Sequence, residues 1–178
     1  MDRLTSPHVW LMRVWFIGLA LLILFFHLLP LDTQPRRWAP PDLLLAFTFA
    51  WAIRRPDFVP AASIAAVMLT ADLLLQRPPG LMALLVLLGS EYLKSRATTP
   101  GETSFAGEWA SVCLVLVAIT VLNRLALSLL LVDQAPFVLN LIQMALTMLV
   151  YPLVVLITQG VMGVRRLSPS DAETLGAR

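Results

Sequence analysis

ASVCLVLVAITVLNRLALSLLLV, residues 110–132, decides the fold of this chain. Fourteen of these residues are Leu, Ile or Val. As a helix rising 1.5 Å per residue the run is about 35 Å long, enough to cross a hydrocarbon core of roughly 30 Å. It carries one charge, Arg124. On an insertion scale the fourteen residues contribute about −6 kcal/mol at roughly −0.4 each, against about +2.5 to +3.5 for a central Arg, so the helix still enters the bilayer.

The short turn Asp133-Gln-Ala-Pro136 joins this run to a second apolar stretch, 137–163, and the two form an antiparallel helical hairpin. Pro152 should kink the second helix by displacing a backbone hydrogen bond. The rest of the chain has the same character. Apolar residues make up 58% of it, charged residues 13%, and the mean hydropathy is +0.81. A water-soluble fold of 178 residues leaves too much of its surface exposed to hide that much apolar area. The expectation is an all-α integral membrane protein, one domain over residues 1–178, with six transmembrane helices.

The six spans fall at about 14–31, 41–53, 58–75, 80–93, 110–132 and 137–163, and 168–178 reads as a flexible polar tail. The first run follows Arg3 and Arg13 like a signal peptide. However, Asp32-Thr-Gln-Pro-Arg-Arg37 follows it without a small-residue cleavage site, so it reads as an uncleaved span. The second segment is short, about 20 Å as a helix. Trp38 and Trp51 bracket it like an interfacial belt, and it either spans with help from its flanks or is re-entrant. The third starts with Pro60 in its first turn and stops at Gln76-Arg77-Pro78-Pro79-Gly80. The fourth leads into Lys94-Ser-Arg96 and a polar loop to about Gly107.

With the N-terminus inside, six spans place Arg3, Arg13, Arg54, Arg55, Lys94, Arg96, Arg165, Arg166 and Arg178 on the cytoplasmic side. Only Arg36, Arg37 and Arg77 fall outside. That positive-inside bias puts both termini in the cytoplasm. Cations scattered over loops and ends form no continuous face, so nucleic acid is not a partner; the lipid bilayer is. Cys113, the one cysteine, allows neither an internal disulfide nor a cysteine metal site. No catalytic set, no metal-binding set and no phosphate-cradling loop is legible, so neither enzyme activity nor a cofactor is expected.

Arg124 is the anomaly. Asp72 lies at a similar depth in the third span, and Asn123, Asn140 and Gln143 share that depth. These five form a candidate intramembrane polar cluster with three readings: a structural Asp72–Arg124 ion pair, Arg124 snorkelling toward the headgroups, or a substrate or proton site. His27 is near enough to join. Glu91 is expected at headgroup level with Lys94 or Arg96. Ala61, Ala62, Ala65, Ala66 and Thr70 give the third helix a small-residue face, either packed within the protein or open to a partner's helix.

Read in order, Pro41-Asp42-Leu-Leu-Leu, Trp51-Ala-Ile-Arg54-Arg55-Pro56, Leu-Thr-Ala-Asp72-Leu-Leu-Leu and Pro79-Gly80-Leu resemble the bacterial rod shape-determining protein family MreD. There a Pro-Asp enters the second helix, an Arg-Arg-Pro-like turn leaves it, an Asp closes the third, and a Pro-Leu-Gly-like turn opens the fourth. Here Leu69 or Thr70 stands where a glycine is usual, and the last turn reads Pro-Pro-Gly. The resemblance implies a non-enzymatic multi-pass protein of the bacterial cytoplasmic (inner) membrane that helps maintain rod shape by positioning peptidoglycan synthesis. Its partners would be an MreC-like membrane protein and, through it, MreB-like actin, the RodA glycosyltransferase and a class B penicillin-binding protein. It also implies a fold similar to the substrate-binding subunits of energy-coupling-factor transporters. The rival is a small-molecule-binding membrane subunit of a transporter, its ligand held by the polar cluster.

Overall fold

The computed structural model describes residues 7–29, 39–97, 104–132, 134 and 136–162. Among them are six α-helices and no strand: α1 (Pro7–Leu28), α2 (Leu43–Arg54), α3 (Ala61–Leu74), α4 (Leu81–Ala97), α5 (Phe105–Leu129) and α6 (Phe137–Met162). A 3-10 turn, Pro56–Phe58, links α2 to α3. The 168–178 tail, Trp38, Arg36, Arg37 and the terminal arginines lie outside the described residues.

Two ends of the bundle are set by side-chain contacts between elements. At one, Arg13 of α1 donates twice to the Asp57 carbonyl (3.2 Å each), and Lys94 of α4 donates to the Val59 carbonyl (2.8 Å). Arg54 at the end of α2 meets Glu108 at the start of α5 there as well. At the other, the start of α2, the α3–α4 turn, the end of α5 and the start of α6 surround a cavity. These are the charged end and the cavity end.

The axis of the bundle is α2. Every residue from Leu44 to Arg54 is buried, and the helix packs chiefly against α6 and α4. A helix apolar on all sides is a buried helix, and one enclosed by protein need not match the thickness of a bilayer. That is the physical reason for its 12-residue length, about 18 Å. Segment 41–53 therefore runs one way between the two ends and does not turn back. Trp51 corrects the interfacial expectation: it is wholly buried, its ring centroid 5.2 Å from Phe47, 5.8 Å from Phe16 and 6.5 Å from Phe58. Aromatic packing around the axis, not headgroups, holds it.

The outer helices show the converse pattern. On α5, Glu108, Val112, Val115, Leu116 and Ile119 are buried, a stripe at helical spacing. Leu114, Val121, Leu122 and Leu125 on the same helix are exposed, as are Trp10, Val14, Phe25 and Phe26 on α1. An apolar exterior of that extent suits lipid, and three helices are long and apolar enough to cross a membrane: Val9–Leu28, Phe105–Leu129 and Phe137–Gly160. α4 passes close to its neighbours at Gly89, where an added Cβ would meet Val115 Cγ1 at 2.7 Å and Ile119 Cδ1 at 3.2 Å. Close approach of this kind is the use of a small residue between helices.

On α3 the buried side is Ser63, Ile64, Val67, Met68, Ala71 and Asp72. The small-residue face is partly open: Ala61, Ala62 and Ala66 are exposed, and Ala65 and Thr70 half-buried.

α3 and α5 finish at the cavity end in the same way. The Arg77 amide donates to the Asp72 carbonyl (2.9 Å) and the Gln76 amide to Leu73 (3.4 Å); Val132 and Leu131 repeat the pattern on Leu127 and Ser128. Gln76 and Leu131 each take φ +53, the left-handed position that such caps usually give to glycine.

Candidate functional site

The charged end holds a buried ion pair. Arg54 Nε and Nη2 donate to Glu108 Oε1 and Oε2, 3.2 Å each, and the Tyr151 hydroxyl donates to Oε1 at 2.7 Å. All three residues are buried. The two-point guanidinium–carboxylate geometry and the third donor compensate the desolvation of both charges. This joins α2, α5 and α6 at one point. Sequence reasoning placed Arg54 at a hinge but left Glu108 outside the fifth span. α5 starts at Phe105, so Glu108 lies in its first turn, where an acidic side chain also suits the helix dipole.

One residue further on, Trp109 Nε1 donates to the Met148 carbonyl at 2.9 Å. Met148 lies four residues before Pro152, and proline has no N–H to offer that carbonyl. The indole supplies the missing donor. At the end of α2, Arg55 lays its guanidinium over the Phe58 ring, 5.1 Å from the centroid, while Pro56 opens the 3-10 turn. Lys94 also pairs with Glu91, at 2.8 Å, as expected.

At the cavity end two carboxylates organise helix starts. Asp42, after Pro41, caps α2: its Oδ1 accepts from the Leu45 amide (3.0 Å), and its own amide donates to Thr147 Oγ1 (2.9 Å). Asp72 Oδ2 accepts from the amides of Gly80 (3.0 Å) and Ala83 (3.1 Å), so a residue at the end of α3 caps the start of α4. Between them Pro79 and Gly80 make the turn, with Gly80 at φ +88, open to glycine. Asp72 is 1% exposed, and its Oδ1 is buried without a hydrogen-bond partner. It lines a small chamber of about 20 Å³, on the scale of one water molecule, with His27, Asp42 and Arg77.

This replaces the expected Asp72–Arg124 pair. The Asp72 carboxylate turns to backbone amides, and the Arg124 guanidinium lies over the Phe137 ring, 5.0 Å from its centroid. The backbone carbonyl of Arg124 accepts from Gln134 Nε2 at 3.3 Å. The five-residue cluster is thus divided. Asn123, Asn140 and Gln143 come together on one cavity of about 380 Å³, Asp72 lines the chamber beside it, and Arg124 lines neither.

The cavity follows from the shortness of α2. Asp42 lies level with Thr147 of α6, but α6 begins at Phe137, about 15 Å earlier along its axis. Above the start of α2, then, the inward stripes of α5 and α6 face a hollow. Asp42 and Leu45 floor it; Gln76, Arg77 and Leu81 come from the α3–α4 turn, and Gln134 lies across the α5–α6 turn. The volume falls in the usual range of small-molecule sites, about 300–1,000 Å³.

The fold and site together define an all-helical protein with an enclosed central helix, a buried ion pair at one end and a polar cavity at the other. No family model matches the chain, and neither a characterised protein nor a solved structure is similar to it.

Proposed function

We propose that the protein is a non-enzymatic scaffold of the cell-elongation machinery in the bacterial inner membrane, similar to MreD, with six spans and both termini cytoplasmic. Its fold would be that of the energy-coupling-factor substrate-binding subunits. It binds an MreC-like membrane protein and, through it, MreB-like actin, the RodA glycosyltransferase and a class B penicillin-binding protein.

The observation that carries this reading is where the motif residues fall. Asp42, Arg54, Arg55 and Asp72, the charged positions of the resemblance, each make a specific contact at an end of the enclosed α2 or at the α3–α4 turn. A motif built of such hinges preserves a shape, as a scaffold requires. Orientation is supported by Arg13, Arg54, Arg55, Lys94 and Arg96 gathering toward the charged end while Arg77 lies at the cavity end. The outward small residues of α3 would let a partner's helix approach closely. Affinity purification from native membranes tests the proposal. Recovery of an MreC-like protein with the chain supports it, and recovery of an ATPase pair instead overturns it.

The cavity favours a second reading, the small-molecule-binding membrane subunit of a transporter. Genes for an ATPase pair beside this one would support transport; genes for MreC-like and MreB-like proteins would support the scaffold.

A further inference from the structure

We infer that the cavity above the start of α2 binds a neutral small molecule that both donates and accepts hydrogen bonds, with the size and chemistry of a sugar or a nucleoside. The inference stands beside the scaffold reading. It supplies a ligand class for the transport reading without depending on it.

The inward stripe of α5 runs Glu108, Val112, Leu116, Ile119 and then Asn123; that of α6 runs Val155, Tyr151, Thr147 and then Gln143 and Asn140. Below the start of α2 these stripes are in contact with neighbouring helices; above it, where none of the described helices faces them, they become carboxamides. Hydroxyls on the same two helices bond their own backbone: Thr120 to the Leu116 carbonyl (2.8 Å), Thr147 to Gln143 (2.7 Å) and Thr158 to Val154 (2.9 Å). Among the described residues, the side chains of Asn123, Asn140 and Gln143 make no hydrogen bond to protein. Each carboxamide offers two donors and an acceptor. Three of them on one cavity wall, half-buried in helices otherwise built for lipid, leave donors and acceptors available to a bound polar molecule.

Charge decides the class of ligand. Among the described residues, the lining carries one carboxylate, Asp42, whose Oδ1 already caps α2, and one guanidinium, Arg77. These two balance, so the described lining offers no net charge to an anion or a cation. The carboxamides match hydroxyls, amides and ring carbonyls, while Leu116, Ile119 and Met144 give an apolar wall for a ring face.

The test uses the full chain in lipid nanodiscs, with Cys113→Ala and Thr120→Cys placing a single thiol in the cavity. Uridine and glucose are the neutral probes; glutamate and putrescine are the charged controls. We expect uridine or glucose to slow modification by a hydrophilic maleimide by about threefold or more, and the controls to leave it unchanged. Equilibrium dialysis of the same probes against the unmodified chain should detect binding, weakened about five- to tenfold by Asn140→Leu or Gln143→Leu. Thermal unfolding checks that each variant is folded. Labelling at one rate with every compound, together with no binding in dialysis, would overturn the inference, as would protection by a charged control alone. Either result leaves the scaffold reading to its own test.

Discussion

Arg54 and Glu108 form a two-point ion pair, 3.2 Å at each contact, between the end of the central helix and the first turn of α5, with Tyr151 completing the carboxylate's shell. Because both charges are buried, each depends on the other. Glu108→Leu or Arg54→Leu alone should destabilise the protein by about 3–5 kcal/mol, since one charge is left uncompensated. The Arg54→Leu, Glu108→Leu double variant should recover much of that loss. A double-mutant cycle on thermal or denaturant unfolding in detergent measures the coupling, and strictly additive losses would reject it.

The indole of Trp109 supplies the Met148 carbonyl with the donor that Pro152 lacks. Trp109→Phe should therefore cost about 1 kcal/mol beyond the change in packing. In a Pro152→Ala background the helix provides its own N–H, and the same substitution should cost clearly less. Unfolding of the four variants decides this, and equal costs in both backgrounds would contradict it.

Gly89 sits where an added Cβ would come 2.7 Å from Val115 Cγ1. Val115 is β-branched and stiff about its first torsion, so it yields poorly. Gly89→Ala should destabilise by about 1–3 kcal/mol. Adding Val115→Ala should reduce that penalty, as read from the same unfolding curves.

Asp72 caps α4 and Arg124 lies over Phe137, so the two make different contacts. Asp72→Ala should cost about 1–2 kcal/mol as a lost cap. Its effect and that of Arg124→Leu should add within about 0.5 kcal/mol. Recovery of stability in the double variant would instead restore the ion pair that the sequence suggests.

Six helices, their order and the hairpin of α5 and α6 were legible because long apolar runs and proline hinges are local signals. The same signals misplaced their ends: α5 begins at Phe105, so Glu108 was left outside the fifth span. Local spacing finds neither Arg54–Glu108 nor Asp42–Thr147, because those partners lie 54 and 105 residues apart. Trp51 read as interfacial because a tryptophan at the end of a short span usually is. Only the enclosure of α2 reveals it as core, and that same enclosure opens the cavity. Asn123, Asn140 and Gln143, which the sequence groups by depth, line one cavity, and Arg124 does not, since depth does not tell which way a side chain turns around its helix.

The scaffold reading is tested most directly by depleting the protein in a rod-shaped bacterial host and measuring cell width and length by microscopy. The account expects the cells to widen and become round as the protein is lost, and expression of the intact chain to restore rods. Cells that keep their shape after full depletion would contradict it.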